Sequence, residues 1–128
     1  MPLYIKSPIT GEQIQVAEND FPDKMSWHEA MSACAGLGGG WRLPIKEEQR
    51  AMCEQLHEHG NGNFKDDWYW SGSEKYEDGS DKPESEKYEN DAWYFQFERG
   101  RAHAYINYKE FMMYVRAVRS TLPNHSAI

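Results

Sequence analysis

Carboxylates are the most concentrated reactive groups of the chain. Residues 74–91 hold eight acidic side chains and three lysines, which leaves that segment with a clear surplus of negative charge. Clustered carboxylate oxygens can bind calcium or work as a general acid and base. Their spacing matches no calcium-loop motif, so a calcium site and a solvated acidic loop both remain open as interpretations. A segment this long and polar is not expected to be buried.

The histidines, serines and glycines form no recognisable reactive site. His57 and His59 lie two apart on a predicted helix, so their side chains point about 200° apart and cannot share a metal ion. Ser71 lacks the sequence context of a nucleophile elbow. The glycines at 36 and 38–40 follow a helix and precede no Gly-Lys-Ser/Thr, so they predict no phosphate cradle. We therefore expect no catalytic residue, no metal site and no cofactor.

The Trp-Arg-Leu-Pro sequence at residues 41–44 predicts a structural role. Trp41 and Leu43 alternate toward the interior, and Pro44 pre-sets the start of a helix. The five fixed donors of Arg42 suit loop carbonyls or a carboxylate. We expect Arg42 to be buried and paired.

Aromatic residues on two late strands give the most distinctive pattern. Trp93, Phe95 and Phe97 alternate with polar neighbours, which predicts a strand with these three rings in the core. The opposite register mixes tyrosines with adaptable polar groups, as antibody binding sites do. It is either an ordinary half-exposed sheet face or a ligand-binding face. Replacing Tyr94 and Tyr105 with alanine is expected to leave thermal stability nearly unchanged. With the adjoining acidic segment, the candidate ligand-binding residues are Tyr76, Tyr88, Asp91, Tyr94, Gln96, Arg101, His103, Tyr105 and Asn107.

Two helices and two hairpins are expected to position these residues. Ser-Trp-His-Glu at 26–29 matches a capping box and starts an apolar helical stripe. Pro44 opens a second helix, which Gly60 stops. A small hairpin to about Val16 comes first; a hairpin turning at residues 99–100 and a last strand over 113–119 come later. This order is an α+β pattern. The expected core residues are Trp27, Leu37, Trp41, Leu43, Leu56, Trp93, Phe95, Phe97 and Val115.

Length and composition bound the class of protein. The 128 residues, 39% of them hydrophobic, predict a single domain over 1–128, with a hairpin and lead-in over 1–22 and a flexible tail over 121–128. The net charge of −7 argues against a nucleic-acid partner, and no apolar run is long enough for a membrane helix. The first residues do not resemble a signal peptide, which predicts a cytoplasmic protein, with a virion-associated one as an alternative. Cys34 and Cys53 are accordingly expected to be free thiols.

Five short motifs occur in a fixed order. They are Ser-Trp-His-Glu-Ala at 26–30, Gly-Gly-Gly-Trp-Arg-Leu-Pro at 38–44, Tyr-Trp-Ser-Gly-Ser at 69–73, Ala-Trp-Tyr-Phe-Gln-Phe at 92–97 and Tyr-Val-Arg-Ala-Val-Arg-Ser at 114–120. Together they resemble a bacterial and phage family of C-type-lectin-like domains, which includes the C-terminal domain of bacterial collagen-like adhesins. The resemblance implies two helices packed on a mostly antiparallel sheet. Retroelement variable proteins and formylglycine-generating enzymes share this fold, so the fold alone leaves function open.

The chain departs from the better-known branches of that fold. Animal C-type lectins bind calcium through an Asn-Asp pair after Trp and a Glu-Pro-Asn-like triplet. Neither motif is intact in this chain, and Glu-Asn-Asp at 89–91 resembles them only in part. Formylglycine-generating enzymes need two cysteines in the C-terminal half. This chain has no cysteine after Cys53 and therefore lacks them. In relatives of the retroelement type, residues that contact the ligand lie on the C-terminal sheet and its loops.

The leading hypothesis is a non-catalytic recognition module for a protein or glycan ligand. Such a module would use the loop at 73–91 and the polar face of the last hairpin. A first alternative is an acidic, phage-type inhibitor or decoy that blocks a basic surface of a host protein. A second is an enzyme derived from the formylglycine-generating branch, which the missing cysteines disfavour.

Overall fold

The computed structural model describes residues 2–72, 91–98, 101–108 and 110–121, with the main chain alone at 91, 92, 98 and 101–108. The helices of this part are α1, Trp27–Gly36, and α2, Lys46–Gln55, with a 3-10 turn at His57–His59. The strands are β1 Leu3–Lys6, β2 Gln13–Val16, β3 Trp68–Trp70, β4 Asp91–Glu98, β5 Arg101–Tyr108 and β6 Val118–Ser120. Helices and antiparallel strands in this order match the α+β class expected from the sequence.

An antiparallel sheet with strand order β1-β2-β6 contains the predicted first hairpin. Ile5 lies opposite Ile14, and both are buried, because directly opposite residues of two paired strands face the same side of the sheet. Gly11 turns the chain between the strands with φ of +74°, a conformation in which side chains other than glycine are strained. β2 then pairs with β6, so that Ile14 also lies opposite Ser120.

A second antiparallel sheet has the strand order β3-β4-β5. Tyr69 lies opposite Phe95, and Phe95 lies opposite Ala104. The pairing of β4 with β5 confirms the predicted late hairpin; its turn at residues 99–100 lies outside the described residues.

Residues 113–120, here named the crossing segment, connect the two sheets. Met113 exchanges main-chain hydrogen bonds with Met25, and Tyr114 bonds to β3 on the other side. Further along, Val118 exchanges hydrogen bonds with Arg42 and lies opposite Val16 in β2. The prediction of a strand over 113–119 was therefore wrong in extent. The segment changes partners along its length, so that only Val118–Ser120 belongs to a continuous ladder.

Helix α1 begins at the predicted capping box. The Glu29 main-chain N–H donates to the Ser26 hydroxyl at 3.4 Å, and the Ser26 N–H donates to the Glu29 carboxylate at 2.9 Å. Trp27 and Cys34 are buried, but Leu37 is 52% exposed. The helix ends at Gly36, so Leu37 caps it and does not continue its apolar stripe. The expectation that Leu37 lies in the core was wrong, and Trp41 is only half-buried.

Helix α2 begins two residues later than the sequence suggested. Ile45 is the N-cap residue, and Pro44 precedes it outside the helix. The Ile45 side chain makes no capping hydrogen bond; instead the Glu48 carboxylate accepts from the Ile45 N–H at 3.0 Å. The predicted stop at Gly60 was wrong for α2, which ends at Gln55; Gly60, with φ of +73°, ends the following 3-10 turn.

Two buried clusters divide the interior. The first packs α2 and the β1–β2 hairpin against one side of the second sheet; the second contains the buried side of α1 and the start of the crossing segment. Cys53 lies in the first cluster and Cys34 in the second, and both are free thiols as predicted. Apart from Leu37 and Trp41, the expected core residues are buried. Among the described helices, none is long and apolar enough to cross a membrane.

Candidate functional site

The late hairpin brings most of the candidate ligand-binding positions together. The register places Tyr94 opposite Tyr105 and Gln96 opposite His103, so these four positions share one face of the sheet. Arg101, opposite Glu98, and Asn107, opposite Ala92, extend the same row.

Of the other three candidates, only Asp91 is among the described residues, and it is not in this row. Asp91 pairs with Tyr108 and alternates in step with Trp93, which places it on the opposite face. Tyr76 and Tyr88 lie outside the described residues, as does the rest of the acidic segment before Asp91.

Trp68 belongs to this face, although the sequence analysis did not single it out. It lies opposite Gln96, and its ring centroid is 5.5 Å from that of Tyr94. Trp68 is 39% exposed, whereas the other two residues of β3, Tyr69 and Trp70, are buried. The signal was its spacing: two residues before the buried Trp70, it must lie on the same face. We name Trp68, Tyr94 and Gln96, with the positions of His103 and Tyr105, the aromatic face.

Tyr94 is anchored to the core. Its ring lies 6.5 Å from that of Trp70 in an edge-to-face arrangement, and it packs partly against the second cluster. Trp70 is fully buried and donates its indole N–H to the Met25 carbonyl at 2.9 Å. Three rings therefore run from the core to the surface in the order Trp70, Tyr94, Trp68. Tyr94 is therefore partly buried and not an exposed position, whereas exposure is the assumption behind the expected small effect of Tyr94→Ala on stability.

Charged groups of both signs lie beside the exposed end of this row. The Asp67 carboxylate accepts from the Trp68 N–H at 2.7 Å and lies 3.5 Å from the Lys24 ammonium group. Lys24 and Lys65 both lie about 5 Å from the centre of the Tyr114 ring. The Tyr114 ring packs against Tyr69, which alternates with Trp68 along β3, so only Asp67 and its partner Lys24 adjoin the aromatic face, next to Trp68.

Among the residues with described side chains, Arg116 is the most strongly buried ionic group, at 0% exposed. Its Nε donates to the Asp20 carboxylate at 2.8 Å, and its Nη1 and Nη2 donate to the carbonyls of Ala17 and Asn63. The Tyr69 hydroxyl donates to the second Asp20 oxygen at 2.8 Å. Burial is the main cause that raises the pKa of Tyr69, so this phenol stays protonated as a donor. The network satisfies the ionic groups internally and holds the fold together.

Arg42 is paired as predicted, but it is not buried. Its two terminal nitrogens donate to the two Glu48 oxygens at 2.7 and 2.9 Å, while its side chain is 42% exposed. Glu48 is the buried partner. The hydrogen bonds to Glu48 raise the pKa of Arg42. The pair joins the strand-like segment before Pro44 to the first turn of α2, which is a structural role.

The histidines and cysteines are separated within the described ranges. His57 Nε2 lies 2.7 Å from the Asp66 carboxylate, and its ring lies 5.5 Å from that of Phe97. His28 packs edge-on against Trp27. In the part of the chain with described side chains, no three His, Cys, Asp or Glu residues group as metal ligands would.

Comparison with solved structures bears on the fold. One of the matching chains is that in the crystal structure of EMS16, an antagonist of the collagen receptor integrin alpha2beta1 (GPIa/IIa), with a TM-score of 0.56 at 15% identity. The alignment covers 84% of this chain and 92% of that chain. The fold is C-type-lectin-like. This likeness agrees with the architecture expected from the five motifs, and it concerns the fold alone. No family model matches the sequence, and no curated protein sequence matches it.

Proposed function

We propose that this chain is a non-catalytic recognition module that binds a protein ligand through the aromatic face. The observation that carries the proposal is the row of rings in which the exposed Trp68 contacts Tyr94, which is held by the buried Trp70. Rings fixed in this way have little conformational entropy left to lose when a partner covers them.

The composition of the face supports a protein ligand. Protein-binding surfaces place aromatic side chains at the centre and polar groups at the rim. Here Gln96 lies opposite Trp68, and Asp67, which is paired with Lys24, accepts a hydrogen bond from the Trp68 main chain. EMS16 is described as an antagonist of a protein receptor, which makes a protein the first class of ligand to test on this shared fold.

The acidic segment favours partners with a basic surface. It precedes β4 directly in the sequence, and like charges concentrated in one segment accelerate the encounter with an oppositely charged partner. Anchoring would then depend on the aromatic face, and the acidic segment would mainly change the association rate and its salt dependence.

The proposal is tested with a matched pair of surface variants. Trp68→Ala removes an aromatic side chain that is 39% exposed on the aromatic face, and Tyr4→Ala removes one that is 41% exposed on β1. Wild-type protein and both variants are immobilised and exposed to extract from the source organism. A ligand of the aromatic face should be retained by wild type and Tyr4→Ala and lost from Trp68→Ala. With the purified ligand, Trp68→Ala should weaken binding by about 2 kcal/mol, or about thirtyfold.

Two results would count against this function. If Trp68→Ala and Tyr4→Ala retain the same proteins as wild type, the binding surface lies elsewhere. If treating the extract with glycosidases abolishes retention, the ligand is a glycan and the protein-ligand assignment is wrong.

We further propose a bacterial or phage origin and a cytoplasmic or virion-associated location. The five ordered motifs support the origin. The neighbouring genes provide the test: a phage structural cassette would support a virion-associated protein, and a secretion operon would contradict the cytoplasmic assignment.

A further inference from the structure

Within the described part of the chain, β1 is an outer strand of its sheet. The Ser7 N–H donates to the Glu12 carbonyl across the hairpin, so residues of odd number on this strand bond inward to β2. Main-chain groups alternate in direction along an antiparallel strand, so those of Tyr4 and Lys6 point away from β2. An outer edge of this kind is a template for pairing with another strand.

The side chain of Gln55 occupies part of this edge. The Lys6 N–H donates to the Gln55 amide oxygen at 2.8 Å, and the Gln55 amide nitrogen donates to the Lys6 carbonyl at 3.0 Å. One donor and one acceptor presented to the same residue are what a paired strand residue would supply. Gln55 is the last residue of α2, and its side chain is exposed. Solvent or another chain can therefore replace its hydrogen bonds to Lys6.

We propose that the outer edge of β1 is a latent pairing surface for a second copy of this chain, and that Gln55 keeps it closed. A second β1 strand fits the edge because the arrangement is self-complementary. Two antiparallel copies centred on Tyr4 would each offer one outward N–H and one outward carbonyl, giving a reciprocal pair of hydrogen bonds. The Tyr4 side chain, 41% exposed, would lie beside its counterpart as a cross-strand aromatic pair.

The residue at the start of β1 also favours the edge that Gln55 covers over pairing with a second copy. Pro2, just before β1, would be the next even-numbered position if the strand were extended by pairing, and it has no N–H to donate. In a two-copy arrangement the Lys6 carbonyl would meet this proline and lack a donor, whereas Gln55 supplies one. The amide therefore both satisfies Lys6 and disfavours pairing.

The test uses Gln55→Met, which keeps the length and helix propensity of the side chain but removes both polar atoms. The control is Glu54→Gln, a neighbouring exposed residue of α2. Sedimentation velocity over a range of concentrations should show self-association of Gln55→Met strengthened by about tenfold or more relative to wild type, with no change for Glu54→Gln. Adding Tyr4→Pro removes the central outward N–H, a change that edge strands tolerate, and should restore the wild-type behaviour.

Hydrogen exchange at the Lys6 amide separates the outcomes. Loss of protection at low concentration and its return at high concentration would support pairing along the edge. A Gln55→Met protein that stays folded, loses protection of Lys6 and shows no gain in self-association would overturn the proposal, since Gln55 would then have only a local role. Self-association that persists with Tyr4→Pro would also overturn it, because pairing would not involve this edge.

Discussion

At the scale of single residues, the network around Arg116 shows how a buried charge is made tolerable. Removing a guanidinium from water is costly unless its donors and a counter-charge are matched. Asp20 supplies the charge, and two carbonyls accept from the remaining nitrogens. The guanidinium also stacks on the Phe64 ring, 4.0 Å from its centre. These contacts fix the chain before α1 to the crossing segment.

Asp20→Asn should therefore destabilise the protein strongly. Asparagine keeps the size of the side chain but leaves the Arg116 charge buried without its counter-charge, which is expected to cost about 3–5 kcal/mol of unfolding free energy. Urea denaturation provides the measurement. Lys24→Gln, which removes the exposed pair with Asp67, is the control and should cost about 1 kcal/mol or less. Equal losses for the two variants would show that Arg116 does not depend on Asp20.

The two arginine pairs also show which ion pairs can be predicted from the sequence and which cannot. Arg42 and Glu48 are six residues apart at the start of a helix, and a paired Arg42 was predictable from this local context. Arg116 and Asp20 are 96 residues apart, and no local pattern connects them. Burial was accordingly assigned to the wrong arginine.

At the scale of secondary-structure elements, the sequence predicted correctly those features that depend on interactions between residues close in sequence. The capping box fixes the start of α1, and period-two alternation fixes the register of β4 and the burial of Phe95. The start of α2 was misplaced because Glu48, a residue within the helix, does the capping. The extent of β6 was overestimated because its partners are distant in sequence.

The candidate site was predictable in part for the same reason. Alternation alone identified the row that contains Tyr94 and Gln96. The position of Trp68 beside Tyr94 depends on the pairing of β3 with β4, which is separated from it by some twenty residues of sequence.

Substitutions along the row of rings in the aromatic face should differ in their effect on the unfolding free energy. Tyr94→Ala should lower the unfolding free energy by about 2 kcal/mol, because it removes a half-buried ring from between Trp68 and Trp70. Trp68→Ala removes the outer ring and should cost about 1 kcal/mol or less. Thermal and urea denaturation of both variants, with Tyr94→Phe as a control for the hydroxyl, provide the measurement. A larger loss for Trp68→Ala than for Tyr94→Ala would reverse the assigned order of burial.

At the scale of the whole molecule, each buried cluster holds one free thiol. Burial raises the pKa of Cys34 and of Cys53 from the usual 9.0 to about 11, and for Cys53 the nearby Glu58 and Glu54 carboxylates add to the effect. Both thiols therefore stay protonated in the folded protein at pH values where an unfolded chain would release the protons.

The stability of the whole molecule should accordingly fall as the pH rises from about 9 through about 11. Below that window both states hold the thiol protons and the contribution is fully present; within it only the unfolded chain releases them, which favours unfolding. Urea denaturation between pH 7 and 11 measures the slope. The double variant Cys34→Ala, Cys53→Ala should show a shallower loss than wild type, with the remaining slope due to other groups such as Tyr69. Parallel curves for the two proteins would contradict the assigned burial of the thiols.

The crossing segment has a consequence for how the protein is made. Val118 pairs with Val16 in the first sheet and Tyr114 with Tyr69 in the second, so both sheets pair with residues that are translated about a hundred positions after the first hairpin. Ribosomes add about 5–20 residues per second, and small domains often fold in less time than that interval. The nascent chain must therefore wait, with the apolar sides of both helices exposed, until residues up to about 120 have left the exit tunnel. During this interval the first hairpin and α1 are available to chaperones, and ribosome pausing upstream of residue 113 would prolong that exposure.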